Sequence, residues 1–276
     1  MPTDSTSNAR FGLSFSGGGM RGIAHIGLLR MLEEHHLEPS VIAGTSAGAL
    51  IGAMYASGVR TEQMLDFFRE TELLDISRFS FLKPGLFDLV KYEVDFQQIL
   101  GHDDFSTLKK QLIVVASDIL AGEMVVINSG SVIKAILASA AFPGVFTPID
   151  YDQRMLVDGG LFNNLPADLI RDRCRVIVGM DVNPILRVSR ETVHSTVSVL
   201  RRASELMIRK QSLEARKYCD VFISPPELGK LDTFNQKQLD EAFEIGYAAA
   251  QQHIEAILEC LDKREPGFWK RMFWGQ

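Results

Sequence analysis

Residues 40–59, SVIAGTSAGALIGAMYASGV, run for twenty positions without a charge. The length of this stretch suits a membrane span, and Gly44, Gly48 and Gly52 repeat at the small-xxx-small spacing of membrane helix interfaces. Its internal order argues otherwise. β-Branched Val41 and Ile42 open it, Gly44-Thr45-Ser46 breaks it, and only then does an alanine-rich helical run begin, with Gly58 placed as a C-terminal cap. The stretch reads as a strand, a tight turn and a buried helix.

The same alternation continues outward. Upstream, residues 11–16 read as a strand and about 22–36 as a helix. Downstream, strands are expected at 112–116, 124–127, 155–157, 175–180 and 220–223, with helices at 132–140, about 191–217 and about 235–261. Such alternation predicts a three-layer α/β/α architecture with a mixed, mostly parallel sheet flanked by helices. Residues 1–10 are polar and are expected to be disordered, leaving residues 11–276 as one domain. Residues 73–91 interrupt the pattern with Phe79, Phe81, Phe87 and a Pro84-Gly85 turn signal. They read either as core filling or as a lid over a site.

Composition narrows the function classes. Of 276 residues, 46% are hydrophobic and 23% charged, which suits a globular core; 29 basic against 35 acidic residues leave a net charge of −6. A field of that sign opposes nucleic-acid binding, so none is expected. Cys174, Cys219 and Cys260 lie far apart without metal-ligand spacing, so neither a disulfide framework nor a metal site is expected, and a reducing cytoplasm fits. The first ten residues contain no apolar core of a secretory signal.

Three motifs carry chemistry. Gly44-Thr45-Ser46-Ala47-Gly48 has the form of a nucleophile elbow, a sharp strand-to-helix turn with a serine at its apex, where Gly44 and Gly48 are needed because side chains there would collide. Ser46 would then lie over a helix N-terminus, where partial positive charge favours an alkoxide. Ser16-Gly17-Gly18-Gly19-Met20-Arg21-Gly22 joins the first strand to the first helix and can expose several backbone N–H groups to an anion. Gly17, Gly19 and Gly22 also satisfy the dinucleotide fingerprint, but no acid closes the second strand to hold a ribose. A developing oxyanion is the other candidate. Leu156-Val157-Asp158-Gly159-Gly160 ends a short strand in an acid beside a turn free of side chains, which lets the carboxylate approach another loop. Asp118 and Asp181 are rival acids at strand ends, but neither is followed by two glycines. His25 is the one histidine near a motif, and its apolar neighbours suit a packed core residue better than a base, so a serine–aspartate dyad is expected. Such a base needs partial burial and a raised pKa.

Taken together, SGGGMRGIAHIGLLRMLEE, GTSAGALIGAMYASG, ASDILAGEMVVINSG with AILASAAFPGVFTPI, and LVDGGLFNNLP resemble, in order, the conserved blocks of the patatin-like phospholipase family, including its bacterial neuropathy-target-esterase-related branch. The resemblance runs from about residue 11 to 182. It implies Ca²⁺-independent hydrolysis of lipid acyl esters, with no cofactor expected, Ser46 as nucleophile, Asp158 as base, the Gly17, Gly18 and Gly19 backbone as oxyanion hole, and Arg21 holding that loop. Gly44, Gly48, Gly159 and Gly160 support the two turns. No departure in these motifs marks a dead enzyme. A non-catalytic lipid-binding or regulatory protein on the same scaffold, and a dinucleotide-binding oxidoreductase, are the rival readings. The resemblance leaves the lipid, the acyl position and the oligomeric state open. At the end of the chain Trp269, Lys270, Arg271, Phe273 and Trp274 form an aromatic and basic tail, suited either to a peripheral lipid contact or to docking on the protein.

Overall fold

A computed structural model of the chain describes residues 9–71 and 87–264. The expectations placed on residues 1–8, on most of the 73–91 insertion and on the C-terminal tail lie outside the described residues. The first strand begins at Ala9, two positions before the sequence suggests.

β1 (Ala9–Phe15) leads through the glycine run and a short 3-10 turn into α1 (Ala24–Glu34). β2 (Val41–Thr45) turns at Ser46 into α2 (Ala47–Ser57), which ends on left-handed Gly58. Two helices without an expectation, α3 (Thr61–Glu70) and α4 (Glu93–Leu100), come next. β3 (Gln111–Asp118) and β4 (Glu123–Ile127) form a hairpin, and α5 (Val132–Ala140) connects it to a second hairpin of β5 (Ile149–Tyr151) and β6 (Arg154–Asp158). β7 (Cys174–Met180), α6 (Thr196–Ala215), β8 (Val221–Ile223) and α7 (Leu239–Arg264) complete the order. Among the described residues no helix is long and apolar enough to cross a membrane, and the uncharged 40–59 stretch is the expected strand, turn and helix.

The eight strands form one mixed sheet in the order β5-β6-β3-β2-β1-β7-β8, with β4 paired to β3. β3, β2, β1, β7 and β8 run parallel; β4, β5 and β6 supply the antiparallel pairs. β4 takes one edge of β3 over Val114 to Asp118, so β2 and β6 must share the other: β2 faces Gln111 to Val115, and β6 faces Ala116 to Asp118. The C-terminal ends of β2 and β6 therefore meet end to end between Val115 and Ala116. That seam brings residue 46 beside residue 158.

The helices flank the sheet unequally. α1, α2, α5 and α7 bury one face under a large apolar core that includes Phe11, Leu13, Phe15, Ile42, Val114 and Val178. The other face is thinner, with Val41, Ala43, Ile113 and Ile177 covered by Ala167, Ile170, Tyr218 and Cys219. Small residues make this possible: a side-chain carbon on Gly12 or Gly179 would lie 2.5 Å from the Cys174 sulfur or 2.3 Å from that of Cys219.

Candidate active site

Ser46 occupies the turn between β2 and α2 with φ 54° and ψ −124°, a backbone region that side chains disfavour. It stands at the N-cap of α2, yet its hydroxyl caps nothing, whereas a serine there ordinarily binds the helix's first N–H groups. The sharpness of the turn explains its glycines. A side-chain carbon on Gly44 would lie 2.5 Å from the Gly48 carbonyl oxygen, and one on Gly48 would lie 2.5 Å from that of Phe15.

The turn takes Ser46 out of the ladder, and α5 repairs the break. Ser139 accepts the Ser46 N–H at 2.8 Å and donates its own hydroxyl to the Val115 carbonyl at 2.5 Å, so its oxygen sits between two backbone groups at the seam. Thr45 Oγ1 donates to the Asn163 carbonyl at 2.7 Å, which ties β2 to the segment after β6.

Asp158, the last residue of β6, is buried and faces Ser46. Its Oδ1 accepts the Gly160 N–H at 2.8 Å, and its backbone is pinned by bonds to Ala141 and from Ser117. Burial pushes the carboxyl from 3.8 up to about 6, against the opposing pull of hydrogen bonds from the Ser46 hydroxyl and the Gly160 N–H. Gly159 is required by packing, since a side-chain carbon there would fall 2.2 Å from the Val115 oxygen. The rival acids are engaged elsewhere. Asp118 Oδ1 accepts the N–H groups of Leu120 and Ala121 in its own turn, and Asp181 is buried against Arg209 and Ser224.

The glycine run lies alongside. A side-chain carbon on Gly17 would be 2.9 Å from Cβ of Ser46. The Gly17 N–H, however, is donated to the Asn164 carbonyl at 3.2 Å. It is not available in the way the sequence suggests, whereas the N–H groups of Gly18 and Gly19 bond no partner among the described residues. The Gly17 carbonyl accepts from Asn183 Nδ2 at 2.6 Å and from Ser16 Oγ at 2.9 Å. In a trans peptide the next N–H points opposite the carbonyl, so Asn183 fixes which way the Gly18 N–H is presented. The far end of the run is held by Met20, whose N–H donates to Thr233 at 2.8 Å, and by Arg21, whose Nε and Nη2 bond the Leu231 carbonyl at 2.9 and 2.7 Å.

His25 belongs to the core. Fully buried, it stacks on Phe15 with centroids 4.5 Å apart and bonds the Ser16 carbonyl through Nε2 at 2.9 Å, and burial lowers its pKa to about 4. Because a carbonyl only accepts, Nε2 carries the proton and the ring is neutral. Among the described residues no group of histidine, cysteine and acid side chains could hold a metal ion. Sequence reasoning passed over Ser139, Asn163, Asn164 and Asn183. Ser139 alone had a local signal, a polar residue on the inner side of an otherwise apolar helix.

Residues 13–170 match the patatin-like phospholipase family. The chain belongs to that family. An NTE family protein of Mycobacterium tuberculosis is 28% identical over 89% of this chain and 46% of its own length, so the chain spans about half the length of this relative. Among solved structures, VipD of Legionella pneumophila shares the fold with a TM-score of 0.54 at 16% identity, covering 93% of this chain and 67% of that one. Human GIVD cytosolic phospholipase A2 does so with a TM-score of 0.52 at 12% identity, covering 94% and 59%. The family's fold is the mixed, helix-flanked sheet described above.

Proposed function

We propose that the chain is a serine-dependent lipid acyl hydrolase acting on carboxylic esters of phospholipids, lysophospholipids or related lipids. Ser46 is the nucleophile, Asp158 the base, and the N–H groups of Gly18 and Gly19 the oxyanion donors, with Gly17 and Arg21 holding their loop. The observation that carries the reading is the juxtaposition itself: an uncapped serine on a strained turn, at the seam where β2 and β6 end, beside a buried carboxyl whose pKa sits near 6. Membership of a family of phospholipases supports the lipid substrate.

The steps follow from those positions. Asp158 takes the hydroxyl proton as Ser46 Oγ bonds to the ester carbon, and the carbonyl electrons move onto an oxyanion facing the glycine N–H groups. One such donor is typically worth about 3 to 4 kcal/mol of barrier lowering. Collapse breaks the ester C–O bond, and Asp158 returns its proton to the departing alcohol. Water then repeats the sequence on the acyl-serine and frees the fatty acid. A peripheral lipid contact through the Trp269 to Trp274 tail remains part of this proposal, tested by deleting residues 266–276.

Covalent labelling by a fluorophosphonate, mapped by mass spectrometry, tests nucleophile and base together. Human GIVD cytosolic phospholipase A2 has been crystallised with a probe of that class. Labelling is expected at Ser46, absent in Ser46→Ala and slowed by at least about a hundredfold in Asp158→Asn. Asn183→Leu, which frees the Gly17–Gly18 peptide to turn, should lower kcat while leaving KM for a soluble ester within about twofold. Folded protein that resists the probe in detergent but binds lipid would instead mark a non-catalytic lipid-binding protein.

A further inference from the structure

α6 is amphipathic in the unusual sense. Its polar side faces the protein: Arg202 bonds the Leu186 carbonyl at 2.6 Å, Arg209 pairs with Asp181, Gln211 bonds Leu161 and Asn164, and Ser212 accepts from Asn164. Its apolar side faces outward, where Val199, Leu200, Leu206, Met207 and Leu213 are 47–62% exposed. Val199, Leu206 and Leu213 recur every seven residues, with Leu200 and Met207 beside them, and so form one apolar stripe along the helix. A stripe of this kind, left open, marks a contact surface.

Two observations say what covers it. The first is place. Gln211 and Ser212 bond the 161–164 segment that continues from Asp158, and Leu161 and Phe162 in that segment are also exposed apolar residues. The stripe and the site therefore share an edge of the molecule. The second is charge. Residues 187–217 hold eight basic and three acidic residues, a net of +5, whereas the rest of the chain carries −11. Arg187 and Arg190 before α6, Lys210 on it, and Arg216 and Lys217 just after it are exposed. An exposed apolar stripe on a helix with exposed cations on it and at both its ends fits acyl chains bordered by anionic headgroups. It does not fit its own copy, since two such faces would repel.

We infer that the outer face of α6, with its basic flanks, docks on an anionic lipid surface and lays the mouth of the Ser46 site against it. The inference rests on the acyl-hydrolase reading for its purpose, but the contact can be measured without turnover. Full-length Ser46→Ala protein is floated with vesicles of phosphatidylcholine, alone or with phosphatidylglycerol added. Binding is expected to require phosphatidylglycerol and to weaken with salt. The double change Leu206→Glu and Met207→Glu should cut it at least about tenfold, and Lys210→Glu should weaken it less. In the Ser46 background these variants should keep the parent melting temperature and hydrolyse a short-chain water-soluble ester at the parent rate. Three results would overturn the inference: binding indifferent to the α6 changes, binding lost only on deleting residues 266–276, or an α6-dependent dimer without lipid. Vesicle binding as expected, together with a failure of every form to hydrolyse the soluble ester, would defeat the hydrolase reading and leave the docking surface standing.

Discussion

At the scale of the residue, Asp158 and Ser46 both carry a cost that their positions impose. An acid whose pKa is raised on folding binds protons more readily in the native state, so its penalty is absent below about pH 4 and complete above about pH 6. A rise from 3.8 to about 6 corresponds to about 3 kcal/mol when the group is fully ionised. Asp158→Asn should accordingly melt higher than the parent at pH 8, and the gap should close as pH falls from 6 to 4; a gap constant across that range would sink the argument. In the proposed mechanism the base must be ionised, so kcat/KM should rise with pH through an apparent pKa near 6. Ser46 pays in backbone strain at φ 54°. Ser46→Gly should be as inactive as Ser46→Ala but about 1 kcal/mol more stable, as read by denaturant melts of the two. The positions of both residues were legible in the sequence, because each sits in a short motif whose glycines the tight turns require. The groups that hold them were not. Asn183 and Asn164 reach the glycine loop from distant segments, so nothing in their own neighbourhood announces the contact.

At the scale of the element, the sequence located the elbow, the glycine turn and α5 well, because apolar periodicity and a capping glycine mark them. It passed over α3 and α4. The first has Arg60 at its N-cap where serine, threonine, asparagine or aspartate would mark a helix start, and the second is only eight residues long. The packing of α1 on α7 was also invisible, since it joins residues over two hundred positions apart. Gly27 and Gly246 set how close those helices come: a side-chain carbon on Gly246 would lie 2.1 Å from the Ala24 carbonyl oxygen, and one on Gly27 2.4 Å from the Tyr247 nitrogen. The obstacle is helix backbone, which cannot swing aside. Gly246→Val should cost about 3 kcal/mol in a denaturant melt. Ala at the neighbouring exposed position, Gln251→Ala, should cost almost nothing.

At the scale of the whole molecule, alternation of strand and helix foretold the class of fold, but not that one layer would be thick and the other thin, nor that two strands would share an edge of β3. Periodicity describes each strand alone, and pairing is settled by what lies across from it. That sharing has a consequence for the order of events in folding. β2 and β6 are more than a hundred residues apart, each must find β3, and β1 must also close on β7 from residue 15 to residue 180. Pairings over such separations form slowly, because each closes a long loop before it is repaid. The helices need no such wait. During refolding from denaturant, helical circular dichroism should therefore return before reactivity of Ser46 toward a fluorophosphonate, and the lag should lengthen in variants that weaken β6 and not in those that weaken α3. Simultaneous recovery of both signals would mean that the seam forms with the first collapse. A chain caught in the lag would possess its serine and its aspartate, and nearly all its helices, while still being chemically inert.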